Sequence, residues 1–310
     1  MKIRLGYVSM SKALDITPSR TITYTQFEKE KDLNKIDKII VENLNNLEQI
    51  INYNIKNNIH FYRLTSKLIP LATHTKVDFD YITKYQTLYK KIGKKIKDNN
   101  IRVDMHPDQF CVLNSTRKEV IDNSFLILEY HYNILNSLNI ENKVLILHVG
   151  SSVFGKENSI KRFINNFNKL PVHIQKCIVV ENDDKIYNID DCLKMCQKLN
   201  IPMVLDYHHH ICNSNNLDIT NYLNNIFETW KITPKIHFSS PRNKTKKDFR
   251  SHHDYINIHD FIDFLNIIKN INIDIDIMIE AKAKDDALFR LVRQLKYYNY
   301  KFIDETTFEI

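Results

Sequence analysis

Eight short apolar runs alternate with longer amphipathic stretches, and no other feature constrains the fold of this chain as much. The runs cover residues 3–9, 59–65, 101–106, 143–149, 177–181, 203–207, 235–238 and 275–280. Each is rich in Ile, Val and Leu and bounded by polar residues, which is how parallel strands buried on both faces read. Between the runs, Leu33, Ile36, Ile40, Leu44, Leu47 and Ile51 recur at three and four residues and share one helix face. Tyr81, Tyr85, Leu88 and Ile92 do the same, as do Phe125, Leu128, Tyr132 and Leu135. Further helices are predicted after Gly155 and near 188–199, 217–230, 257–269 and 285–298. Strict alternation of eight strands with about eight helices implies an α/β chain with short connections. It favours a single closed (β/α)8 barrel, a TIM barrel, over an open doubly wound sheet.

The length of 310 residues suits one such barrel with insertions. No linker or composition break interrupts it, so residues 1–310 are expected to form a single domain. Hydrophobic residues at 43% and charged residues at 26% exclude disorder and collagen-like architectures. There are 4 glycines, where average usage would give about 22. Neither GxGxxG nor GxxxxGK[ST] occurs, so a glycine-rich phosphate cradle is excluded. The net charge of +7 is a modest basic bias, compatible with nucleic acid. The 5 cysteines have no framework spacing and read as reduced thiols. The first twelve residues hold no apolar signal region, and no run of about 18 apolar residues exists. An intracellular protein off the membrane is expected: cytoplasmic in a bacterium, nuclear or at a viral replication site otherwise.

Histidines and carboxylates gather at the strand ends. His106, His148, Glu181, Asp206 with His209, His237 and Glu280 mark the third to eighth strands. His74 follows the second strand, and His252 or His253 closes a loop after the seventh. In a barrel, all of these converge at the carboxyl ends of the strands, the face that carries barrel active sites. So many titratable groups in one place call for cations. A mixed His/Asp/Glu shell suits Mn²⁺, Zn²⁺ or Fe²⁺, and nine donors suggest two or three ions. Such a cluster suits in-line displacement at phosphorus by a metal-activated water. Lys235 precedes His237 by two residues and so points to the same side, as a phosphate contact or a modified bridging ligand. Two long polar connections, 10–30 and 239–255, lie on this face.

The segments RLGYVS, FYRLTS with PLATHT, MHPDQFCVLNS, LILHVGS, VVENDD, LDYHHH, KIHFSSP, SHHDY and MIEAKAKDDAL span nearly the whole chain. In this order they resemble the UV damage endonucleases, barrel repair enzymes related to endonuclease IV. The resemblance implies a divalent metal cluster, Mn²⁺ foremost, with Mg²⁺, Co²⁺ or Zn²⁺ as alternatives. It implies hydrolysis of damaged double-stranded DNA immediately 5′ to cyclobutane dimers and 6-4 photoproducts, leaving 3′-hydroxyl and 5′-phosphate ends. The implied metal ligands are His74, His106, His148, Glu181, Asp206, His209, His237, His252 and Glu280. His252 is chosen over His253 for its spacing to Asp254. Glu181, Glu280, Lys235 and His237 are the implied catalytic set.

Photoproducts are poorly stacked and extrude at lower cost than normal pairs, so recognition needs probes of stacking rather than of sequence. The resemblance assigns that probing to Gln109 and Phe110, with Phe where the family usually has Tyr. It adds Tyr7 on the first strand and Ser11, near a family asparagine. Arg242, Lys244, Lys246, Lys247 and Arg250, with Lys282 and Lys284 beyond Glu280, are expected to contact phosphates. A monomer is expected, since a barrel of this size buries its own core. An abasic-site endonuclease like endonuclease IV shares the metals and the chemistry. A metal-dependent sugar isomerase shares the scaffold, but relies more on carboxylates and has no use for a basic loop.

Overall fold

The computed structural model describes residues 1–245 and 248–310. Eight parallel strands form the barrel: β1 (Lys2–Val8), β2 (Phe61–Leu64), β3 (Arg102–Met105), β4 (Leu145–His148), β5 (Ile178–Glu181), β6 (Met203–Asp206), β7 (Lys235–Phe238) and β8 (Ile275–Ile279). They pair in sequence order, and β1 closes the ring between β8 and β2. Every apolar run of the sequence becomes a strand, with each end within two residues of the expected one. No helix among the described residues is long and apolar enough to cross a membrane.

The pleat divides each strand. Outward residues such as Ile3, Leu5, Leu145, Leu147, Ile178 and Val180 are buried against the helices. Inward residues of β4, β5 and β6, namely Ile146, Val179 and Val204, pack with Trp230 as a separate apolar layer inside the barrel. Most of the rest of the interior is ionic, with Phe61 packed beneath the Lys235 and Arg102 cations. Arg4 and Arg102 share Asp276 near the amino ends of the strands, at 2.6 and 2.7 Å. One layer higher, Lys235 and Arg63 share Asp104. Inward-facing Gly6 sits where β1 meets β2, and a Cβ there would lie 2.3 Å from the carbonyl oxygen of Phe61.

The helix Leu33–Lys56 buries Ile36, Ile40, Leu44, Leu47 and Ile51, the face its spacing predicts. Leu33 is the exception: it is the first helical residue, beside the N-cap Asp32, and stays exposed. Tyr81 and Tyr85 precede their helix, Gln86–Asp98, because the Asp80 carboxylate accepts from the amides of Ile82 and Thr83 and holds a turn. The expected helix at 217–230 is broken into Ile219–Asn221 and Leu223–Glu228. A short helix, Tyr207–Cys212, starts where β6 ends and is capped by Asp206. An unexpected hairpin, β9 (Lys301–Phe302) and β10 (Thr307–Glu309), adds to the sheet. β10 runs antiparallel to the first half of β1, with Lys2 opposite Glu309. The second half of β1 pairs with β2.

Candidate metal centre

Six strands deliver the cluster. His148, Glu181 and Asp206 are the last residues of β4, β5 and β6. His237 lies one residue before the end of β7, Glu280 just beyond β8, and His106 just beyond β3. The short helix after β6 brings His209 back over Asp206, whose Oδ1 accepts from the His209 amide at 2.8 Å. Buried Asn182 locks this corner: its amide donates to the Asp206 carbonyl and its oxygen accepts from the Asp206 N–H, both at 2.9 Å.

Three triplets result: His106, His148 and Glu181; Glu181, Asp206 and His209; Asp206, His237 and Glu280. Within each, one donor atom per residue lies within 4.8 Å of the others. Glu181 and Asp206 each belong to two triplets, the arrangement of carboxylates bridging neighbouring ions. Of the adjacent histidines in the loop, His252 faces the cluster, its Nδ1 3.9 Å from Glu280 Oε2. His253 turns away, and its Nδ1 accepts from the Tyr255 amide. The bridge between Pro241 and His252 folds the loop back to make this possible.

The donor chemistry fits divalent ions. His106 Nδ1 lies 2.9 Å from the Pro107 carbonyl, which fixes the ring with Nε2 3.0 Å from Glu181 Oε2. A cation held by both the ring nitrogen and the carboxylate would satisfy the two at once. Asp206 Oδ2 and His148 Nδ1 are buried without a hydrogen-bond partner. Burial pushes the Asp206 carboxyl well above the usual range, opposed by His209 and reinforced by Glu181 and Glu280. Burial acts the same way on Glu181, but His237, His148 and His106 outweigh it and hold that carboxyl well below the usual range. His209 shows the complementary response: burial lowers it, yet Asp206 and Glu181 raise it to about 9.

Arg63, not anticipated from sequence, caps the cluster from below. Its guanidinium meets Glu280 Oε1 and His237 Nε2, both at 2.5 Å. A guanidinium only donates, so His237 Nε2 accepts and its ring proton sits on Nδ1, 2.7 Å from Glu181 Oε1. His237 offers Nδ1 as a ligand only in its other tautomer, with the ring proton on Nε2 and the Arg63 contact to that nitrogen released. A charged residue inside the apolar run FYRLTS, at an inward position, is the available signal for Arg63; Asp104 carries the same signal.

Several expected site residues lie elsewhere. Lys235 does point inward with His237, but one pleat deeper; it is fully buried, and its Nζ meets Asp104 Oδ2 at 2.5 Å. It therefore touches neither the triplets nor the surface. His74 joins no triplet; its ring stacks on Tyr24 with centroids 4.0 Å apart. Tyr7 alternates with inward Gly6, faces the helix layer, and donates to Asn54 Oδ1 at 2.8 Å. Its side chain is fully buried there. Ser11 is buried too, its hydroxyl bound to Asp285 Oδ2 at 2.6 Å.

Gln109 is exposed, and Phe110 is 64% exposed on the loop after β3. Arg242, Lys244 and Arg250 line the loop after β7, with Arg250 Nε 3.6 Å from Asp184 Oδ2. Lys282 is exposed beyond Glu280. Lys246 and Lys247 lie outside the described residues.

Fold and cluster together define a (β/α)8 barrel with a constellation suited to metal ions at the carboxyl ends of its strands. The profile of the UV-endonuclease UvdE family matches residues 3–307, and the chain belongs to that family. It is similar to the UV DNA damage endonuclease of Bacillus mycoides (strain KBAB4), with 45% identity over 303 residues and 95% of each chain covered. The crystal structure of SacUVDE superposes with a TM-score of 0.87 at 36% identity, covering 96% of this chain and 99% of that one. Endonuclease IV from Thermus thermophilus shares the fold, with a TM-score of 0.58 at 11% identity over 96% of this chain and 98% of that one.

Proposed function

We propose that this chain is a DNA repair endonuclease that hydrolyses the damaged strand immediately 5′ to UV photoproducts, leaving 3′-hydroxyl and 5′-phosphate ends. Family membership supports the endonuclease reading. The observation that carries the chemistry is the sharing of Glu181 and Asp206 between three neighbouring donor triplets on the barrel's open face. His106, His148, Glu181, Asp206, His209, Glu280 and, in the tautomer with its proton on Nε2, His237 would hold two or three divalent ions, Mn²⁺ foremost. His252 completes the rim beside Glu280. Ions so held supply a nucleophile at neutral pH and neutralise the phosphodiester and leaving group.

The remaining work falls to the chain's own groups. Asn182 fixes the angle of Asp206, and Arg63 fixes Glu280, so the donors keep their places when the phosphate approaches. Arg242, Lys244, Arg250 and Lys282 bind phosphates on either side of the cut. Gln109 and Phe110 enter the space left by extruded bases; the phenyl ring stacks on any base, because every base has a π face.

The test is an end-labelled duplex bearing one cyclobutane dimer, incubated with MnCl₂ beside abasic and undamaged duplexes. A single nick directly 5′ to the dimer is expected, abolished by EDTA and by Glu181→Ala. Cleavage of the abasic duplex alone would reassign the chain to abasic-site repair. No cleavage with metal bound would overturn the nuclease reading.

A further inference from the structure

Phe154 is the second large aromatic side chain displayed on the open face of the barrel. It sits between β4 and the helix Lys156–Phe167, six residues beyond His148, and is 76% exposed. Its backbone is left-handed, with φ of 62°. For a bulky residue that conformation is unfavourable. Exposing a phenyl ring forgoes the stabilisation that burial would give. Neither property serves the fold, and glycine, which stands next to it at 155 with φ of 89°, would meet the backbone requirement without strain.

The loop that carries the ring is nonetheless held firmly. Asn158 donates to the Phe154 carbonyl at 2.8 Å, Arg162 to the Val153 carbonyl at 2.5 Å, and the Gly155 amide to the Ser152 carbonyl at 2.9 Å. The loop is also tied to the one bearing Phe110. Asn114 exchanges hydrogen bonds with the Ser151 backbone, at 2.6 and 3.2 Å, and Arg162 donates to the Asn114 carbonyl at 2.9 Å. Two exposed phenyl rings thus stand on adjacent, mutually braced loops, each a few residues beyond a histidine of the same triplet.

We propose that Phe154 is a second DNA-stacking residue, which packs against an unstacked base beside the lesion while Phe110 occupies the gap. The proposal rests on the reading of this face as a DNA endonuclease site. Stacking tolerates any base, so Phe154 adds affinity for distorted duplex without adding sequence preference.

The experiment compares wild type, Phe154→Ala, Phe154→Gly and Phe154→Trp. Three quantities are measured: affinity for a dimer-bearing duplex by fluorescence anisotropy in EDTA, kcat/KM for nicking in MnCl₂, and thermal melting. Loss of one stacked base should weaken affinity and kcat/KM of the Ala and Gly variants roughly tenfold, while Trp retains them. Phe154→Gly should melt no lower than wild type, because it relieves the left-handed strain. Unchanged affinity and nicking in the Ala and Gly variants, with wild type active, would overturn this proposal and leave the endonuclease reading intact. A Phe154→Gly variant that melts several degrees lower would assign the ring to packing and overturn it too. A wild-type chain that neither binds nor nicks the dimer duplex would overturn both.

Discussion

Arg63 and Glu280 meet at 2.5 Å, where the ionic layer inside the barrel touches the layer of donor triplets above it. The same guanidinium reaches Asp104 at 3.2 Å, and Asp104 in turn takes the buried ammonium of Lys235. One cation therefore balances carboxylates in two layers. Arg63→Met should lower the unfolding free energy by about 3–5 kcal/mol in EDTA, since it strands buried carboxylates. The loss should shrink in saturating MnCl₂, because ions bound only to the folded chain supply positive charge in its place. Denaturant melts with and without metal measure both; an equal loss in the two conditions would show that Arg63 does not serve the cluster.

The sharing of carboxylates predicts a graded response to mutation. Asp206 belongs to two triplets and His148 to one. Asp206→Ala should therefore remove more bound Mn²⁺ per chain than His148→Ala, as counted by elemental analysis after dialysis. Both should reduce nicking by at least about a hundredfold, the scale lost when a key group for transition-state charge is removed. EDTA-treated wild type should melt lower than the Mn²⁺-loaded protein.

Phe110 is exposed and packs into no core, so its loss should spare stability. Phe110→Ala should melt within about 0.5 kcal/mol of wild type, the usual range for surface changes. It should lower kcat/KM on a dimer duplex by roughly tenfold. Phe110→Tyr should restore it. A lower melting temperature in Phe110→Ala without loss of nicking would assign the ring to packing.

His131 predicts an acid limb of stability away from the cluster. On the helix Lys118–Ser137 its Nδ1 donates to the Ile127 carbonyl at 2.7 Å, and its Nε2 is buried without a partner. Burial pushes its pKa from the ordinary 6.5 down to about 4. Between those values the unfolded chain binds the extra proton and the folded chain does not. The neutral ring therefore contributes its stability in full above pH 6.5, and that stability is lost as the pH falls toward 4. The loss amounts to at most about 3 kcal/mol. His131→Leu should show a shallower decline across that window in EDTA; parallel curves would exclude His131 as the source.

Much of this is legible in the sequence because strand periodicity is local. The apolar runs locate all eight barrel strands, and their ends locate the seven residues of the triplets. Depth and facing are harder. Lys235 has the right parity but the wrong layer, and only the placement of Asp104 on a distant strand shows that its charge is already met. Tyr7 is misassigned although strand alternation holds the answer, since inward Gly6 forces its neighbour outward. His74 and Ser11 sit on loops, where no period indicates direction. The helix Tyr207–Cys212 is a turn and a half long, too short for an amphipathic pattern, and the strands of the terminal hairpin are shorter still.

That hairpin has a consequence for how the molecule is made. Lys2 pairs with Glu309, Ile3 with Phe308, and the Leu5 amide donates to the Thr306 carbonyl. The first barrel strand is thus flanked by residues made after every other barrel strand. Until they emerge from the ribosome, the leading half of β1 presents open backbone groups to whatever edge is nearby, its own β2 included. The pairs of β1 with β8 and β2 can close the ring without the hairpin, but a chain stopped at residue 300 should leave the stretch beside Lys2–Arg4 uncovered at the seam rather than merely end shorter.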